Sequence, residues 1–362
     1  MMKVTFLLTT NMNRPIGGHK VVFEYANYLV KNGIKVKLIF VKHPDFYNKS
    51  KLYRILQYTY WTILNKTPYK NRVTWFDIDD NIECCWNVNP QRIEIGEDEK
   101  VVATASWTAE ILNKIKAIPD FQKYYFIQSY EALWNSPEMV DSTWLMPFNK
   151  IVIATWLQKL GTEKFNVQTK LIPNFINSKS FVNRNPQQNR EKIISLLIHS
   201  SELKQSDFGI RVLKKVQEMV PEAKFLLFGT VKKFETDLSN SQYFENATEE
   251  CLNNIYNKSM IYLVPSKLEG WGLTAMEAMT SGAVVISNEN GGIDDIVESG
   301  YNGWITDFDD EQRIANIIVD TINNEALRIK MVENSEKTLK NFSLEKSGHQ
   351  FMEYLRDPKN NR

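Results

Sequence analysis

Short apolar runs alternate with helix-patterned stretches along the whole chain, and no other feature of the sequence constrains the fold as much. Lys3 to Thr9, Lys35 to Val41, Val73 to Ile78, Lys100 to Ala105, Tyr124 to Gln128 and Lys150 to Thr155 read as strands. After the first of them, Val21, Val22, Tyr25, Ala26 and Leu29 share one helical face, and Gly33 stands where a left-handed cap would end the helix. A second series follows, with strands near Ile193 to Ile198, Lys224 to Phe228, Met260 to Val264 and Ala283 to Ser287. Strand and helix in steady alternation build parallel sheets with helices on both faces. With 362 residues, more than one core usually serves, the expected fold is α/β: two Rossmann-like, doubly wound domains.

The boundary is expected near residue 175, where Pro173, Asn174 and the polar run Asn183 to Arg190 have turn and linker chemistry. This gives domains 1–175 and 176–340 and a terminal segment 341–362. Open parallel sheets hold ligands in loops beyond the carboxyl ends of their strands, so the search narrows to loops that follow strands and face an interdomain crevice.

Composition removes several function classes. Forty-four Lys and Arg against 43 Asp and Glu leave a net charge of +1, so no global field draws the chain to nucleic acid or anionic lipid. Cys84, Cys85 and Cys251 have neither metal-ligand nor disulfide spacing, and a reducing cytoplasm is expected. No run approaches the roughly 18 apolar residues of a spanning helix, so any membrane attachment would be peripheral, at the inner face of the membrane. One stretch suits that role: residues 47–75 interleave Lys49, Lys51, Arg54, Lys66, Lys70 and Arg72 with Tyr53, Tyr58, Tyr60 and Trp61. It reads as a membrane-interface segment or, more plainly, as an amphipathic helix packed on the first sheet.

The loop Pro265-Ser-Lys-Leu-Glu269-Gly270-Trp271-Gly272 stands between a strand and a helix that opens at Leu273 and Thr274. Its glycines let backbone approach a ligand, and the free N–H groups and dipole of the helix favour an anion such as a diphosphate. Glu269 and Glu277 would repel a bare phosphate, so sugar and ribose hydroxyls are the better partners for them. The plainer reading makes Glu277 a solvated helix residue and the glycines a turn. No divalent metal is expected, and Asp77-Ile-Asp79-Asp80 reads as a turn rather than a metal motif.

The segment Glu269-Gly-Trp-Gly-Leu-Thr-Ala-Met-Glu277 resembles the signature of family 4 (group 1) retaining glycosyltransferases of the GT-B fold. Asn290-Gly291-Gly292, Gly300-Tyr-Asn-Gly303, Gly17-Gly18 and Ile172-Pro173-Asn174 resemble that family as well. The resemblance implies a nucleotide-sugar donor without metal: Glu269 on sugar hydroxyls, Gly270, Trp271, Gly272, Leu273 and Thr274 around sugar and diphosphate, and Glu277 on the ribose. It also brings Gly17 and Gly18 against the diphosphate and makes the helix Leu344 to Leu355 cross back to the first domain.

The family's phosphate-binding cations would follow the first strand of the second domain. Lys204 fits the lysine, but the arginine's place falls near Ile198 and His199, so His199 with loop amides, or another cation such as Arg211, must substitute. In the first domain, Gln128-Ser-Tyr130-Glu131 resembles the Gln-x-Tyr-Glu loop of a bacterial subset that includes rhamnosyltransferases, which puts acceptor or donor sugar near Gln128, Tyr130 and Glu131; a buried hydrogen-bonding role fits them equally. The expected reaction moves a hexose or deoxyhexose to a glycan, free or lipid-linked, of a bacterial surface polysaccharide, with retention. The rivals are a nicotinamide dehydrogenase, whose G-x-G-x-x-G fingerprint is absent after the first strand, and a catalytically silent partner or glycan-binding subunit.

Overall fold

The computed structural model describes residues 2–10, 13, 15–42, 56, 73–133, 135–176 and 180–357. It divides into two compact units, Met1–Asn174 with Leu344–Arg362, and Phe175–Ser343. The basic, aromatic stretch 47–75 lies outside the described residues except for Leu56 and 73–75.

In the first unit, β1 (Lys3–Leu8), β2 (Lys35–Val41), β3 (Glu83–Val88), β4 (Glu99–Ala103), β5 (Lys123–Ile127), β6 (Asn149–Val152) and β7 (Lys170–Leu171) form a parallel sheet in the order β3-β2-β1-β4-β5-β6-β7. Val4, Phe6, Leu7 and Leu8 of the central strand are fully buried, as a strand covered on both faces requires. The helix Gly17–Lys31 ends in a left-handed cap: Gly33 has φ +76°, its N–H donates to Val30 O, and that of Ile34 to Leu29 O. The helix Leu344–Arg356 belongs to this unit. Its Phe351 stacks on Tyr25 at 4.5 Å, Ser347 Oγ donates to Pro173 O, and Gly348 is needed because a Cβ there would sit 2.7 Å from the Tyr28 ring.

One expected strand is corrected. Val73 to Ile78 is not a strand; β3 comes later, at Glu83–Val88. The apolar side chains of the earlier run cover a helix instead of pairing in a sheet: Trp75 and Phe76 pack on Phe23 at 5.7 and 5.4 Å. Asn27, on the same helix, donates to Asp77 O and accepts from the Asp79 N–H. Asp79 then caps a turn through Asn81, as a turn reading of the acidic cluster predicts.

In the second unit, β8 (Ile193–Ile198), β9 (Lys224–Gly229), β10 (Ser241–Glu245), β11 (Ile261–Val264), β12 (Val284–Ser287) and β13 (Gly303–Ile305) form a parallel sheet in the order β10-β9-β8-β11-β12-β13. The order reverses between β8 and β11, so the loops after these two neighbouring strands open a crevice at the sheet's switch point. The polar run before β8 is no loose linker. Gln187 Nε2 donates to Met260 O and Gly282 O, and Arg190 binds the carbonyls of Tyr256, Ser259 and Ser281, clamping the run to the strand and helix ends of this unit.

Candidate functional site

The loops after β8 and β11 meet through one ion pair. Lys204 Nζ lies 2.6 Å from Glu269 Oε1, and the two side chains are 25% and 11% exposed. Backbone bonds fix the loops around it. Lys267 N–H donates to Leu203 O, Lys204 N–H to Ser201 O, and Glu269 N–H to Asn290 O. Topology therefore brings together two charged residues 65 positions apart.

Gly272 follows in the left-handed region at φ +90° and caps the helix Leu273–Thr280, and among the described residues no side chain bonds its first amides. A helix start of this kind leaves N–H groups for a ligand and carries the positive end of the dipole. The loop Asn290-Gly291-Gly292 packs directly beneath. A Cβ on Gly292 would stand 2.5 Å from Trp271 N, so only glycine permits this approach. Trp271 turns its ring inward, 5.4 Å from Phe342, with its indole N–H buried and unpartnered; the main chain of Gly270 and Trp271, not the ring, is what the loop offers.

Behind the helix start, Tyr262 OH donates to Thr274 Oγ1 at 3.0 Å. The tyrosine is fully buried, and burial, with the charges of Glu269 and Glu277 nearby, drives its phenol far above the ordinary range, so it stays a neutral donor. Glu277 is 7% exposed, which excludes the solvated-helix reading. His199 begins the loop after β8. Its N–H donates to Ser206 Oγ, and its Nδ1 accepts from the Ser201 N–H at 2.9 Å, in an exposed residue. Arg211 is turned elsewhere, to Glu311 at 2.5 Å.

The first unit gathers only part of its expected residues. Gln128 Nε2 donates to Gly18 O at 3.2 Å, so the glycine turn and the loop after β5 meet, while Gly17 opens the helix. Beside them His19 is buried between Phe23 and Phe40 with Nε2 on Thr9 Oγ1, and burial lowers its pKa to about 4. Glu131 spends both carboxylate oxygens on its own fold, accepting from Ser106 N–H, Ser106 Oγ and Asn135 Nδ2 at the start of the helix Ser106–Lys114. Tyr130 OH donates to Asp141 at 2.6 Å and accepts from Lys164. The sequence reading did not foresee Tyr262 or Ser206. An aromatic within a buried strand and a serine after a loop carry no signal of their own.

Residues 178–338 match the model of the family described as glycosyl transferases group 1. An uncharacterized glycosyltransferase of Methanocaldococcus jannaschii is 31% identical over 122 residues, 33% of this chain and about a third, 35%, of its own length. An uncharacterized glycosyltransferase of Haemophilus influenzae is 23% identical over 96% of this chain and 98% of its own. Among solved structures, a sucrose-phosphate synthase from Thermosynechococcus elongatus superposes with a TM-score of 0.74 at 15% identity, covering 98% of each chain. Anabaena HepE, solved with UDP-glucose, gives 0.72 at 14% identity over 98% of this chain and 100% of its own.

Two Rossmann-like domains with parallel sheets are the GT-B architecture of these neighbours, and the match to group 1 glycosyl transferases falls within the second unit. The chain is thus similar to glycosyltransferases, in sequence over residues 178–338 and in fold over nearly its whole length. Among the described residues no helix is long and apolar enough to cross a membrane.

Proposed function

We propose that the chain transfers a hexose or deoxyhexose from a nucleoside-diphosphate sugar to a hydroxyl of a glycan, free or lipid-linked, with retention and without metal. The observation that carries this reading is the Lys204–Glu269 pair at the switch point, beside a helix start whose amides no side chain caps among the described residues. Lys204 and the amides from Gly272 onward receive the diphosphate, Glu269 accepts from the sugar hydroxyls, and Glu277 accepts from the ribose. In the reaction the bond from the anomeric carbon to the diphosphate oxygen breaks and one to the acceptor oxygen forms. The acceptor proton passes to the departing phosphate, whose charge Lys204 and the amides stabilise. His199 and these amides stand in for an arginine.

The relatives and neighbours guide the choice of probe, since HepE was solved with UDP-glucose. The test is calorimetric titration with UDP, GDP, ADP and dTDP, with and without EDTA, on the protein and on Glu277→Ala. One diphosphate should bind regardless of EDTA, and the variant should lose about tenfold or more of that affinity, the worth of a lost bond to a charged acceptor. Binding abolished by EDTA overturns the metal-free reading. No binding at millimolar concentration leaves a silent partner or glycan-binding subunit.

A further inference from the structure

We propose that Lys204 and Glu269 are an exchangeable pair through which the site prefers an intact nucleotide-sugar to the free nucleoside diphosphate; the inference rests on the donor-site reading above. The donor-free site is already neutralised, because the lysine meant for the diphosphate is held by the carboxylate meant for the sugar, at 2.6 Å. A diphosphate must therefore take Lys204 away from Glu269. The Glu269 side chain is only 11% exposed, so water compensates it poorly once its cation has gone.

The ligand's composition decides who repairs that loss. A nucleotide-sugar brings hydroxyl donors to Glu269 as its phosphates engage Lys204, and both ends of the broken pair find partners. A nucleoside diphosphate brings phosphates alone, which leave Glu269 unsatisfied and set a second anion near it. The exchange needs only side-chain motion, because the two loops are clipped together by Lys267 N–H on Leu203 O and Glu269 is anchored by Asn290 O. Once the sugar has moved to the acceptor, the diphosphate product stands in the unfavourable situation, and the pair re-forms as it departs. Glu269 thus sets donor preference and product release in addition to touching the sugar.

The test compares the wild type, Glu269→Gln and a Lys204→Met, Glu269→Gln double variant by calorimetry. The probes are whichever of UDP, GDP, ADP and dTDP binds the wild type, and its glucose conjugate. Glutamine keeps the shape but releases the lysine. Glu269→Gln should bind the free diphosphate about tenfold tighter than wild type, the size of one charge-assisted bond, and its preference for the glucose conjugate should shrink by a similar factor. The gain should vanish in the double variant, since it acts through Lys204. Thermal unfolding of each variant establishes that it is folded before affinities are compared. Unchanged or weaker diphosphate binding by Glu269→Gln overturns the exchange while the donor-site reading stands, as does a gain that survives in the double variant. If none of the four diphosphates binds the wild type, the donor-site reading falls and takes the exchange with it.

Discussion

Arg190 and Lys204 are two partly or wholly buried cations of the same domain, fourteen positions apart in the chain, and they are satisfied in opposite ways. The guanidinium of Arg190, in a residue only 5% exposed, donates to the carbonyls of Asn185, Tyr256, Ser259 and Ser281 and to Asn183 Oδ1. Burial lowers its pKa to about 10, and no carboxylate is part of that set. Lys204, a quarter exposed, meets a single carboxylate on another loop. Backbone carbonyls from several elements cannot follow a cation that moves, so Arg190 fastens the domain. A carboxylate on a rotatable side chain can release its partner, so Lys204 is open to a ligand. The kind of acceptor, more than burial, separates the fixed charge from the releasable one.

The comparison can be broken most forcefully at Arg190. Arg190→Met should lower the unfolding free energy by about 3–5 kcal/mol, because four carbonyls and an amide oxygen lose a buried donor together. Denaturant unfolding measures this, and a loss under about 1 kcal/mol would place Arg190 with the dispensable surface charges. Lys204→Met should do the reverse. Transfer should fall about 100-fold, roughly 2.7 kcal/mol in the transition state, while the unfolding free energy falls by only about 1–2 kcal/mol, because a single mostly buried carboxylate, Glu269, loses its partner. Activity assays beside unfolding curves read both quantities on one sample.

A smaller effect sharpens the contrast in the first domain. His19 is buried with a folded pKa of about 4 against an ordinary 6.5, so the folded state favours its neutral form. Its contribution is whole above pH 6.5 and is lost as pH falls toward 4, because the unfolded chain takes up the proton first. By pH 5 the loss is about 2 kcal/mol. His19→Gln should flatten the acid limb of stability between pH 7 and 5 without changing diphosphate affinity at pH 7. An unaltered limb would mean that His19 is solvated.

Much of the fold could be read along the chain, and the misses share a cause. The central strands β1, β2, β8, β9 and β11 are mainly apolar runs, interrupted at Thr5, Lys37 and Ser195, since both faces of each are largely covered. The edge strands are not: β10 is Ser-Gln-Tyr-Phe-Glu, β7 has two residues and β13 three. Val73 to Ile78 has the composition of a strand but finds its burial on Phe23. Asn183 to Arg190 has the composition of a linker, yet its polar groups are those that strand and helix ends lack. At the candidate site, Gly272 and Gly292 were legible because a positive φ or a close backbone approach needs glycine wherever the fold places it, whereas the glutamates were singled out by their place in the loop and by resemblance.

The sequence by itself determined the parallel α/β class, the loop at Glu269 to Glu277 and the cations available to it, because periodicity, glycine and charge are local properties. Only the tertiary structure decided that Lys204 meets Glu269, that Glu131 caps the helix at Ser106 and that Arg211 turns to Glu311. Each of these partners lies 25 to 100 positions away, and strand order, not spacing along the chain, sets which distant side chains share a few ångströms of space.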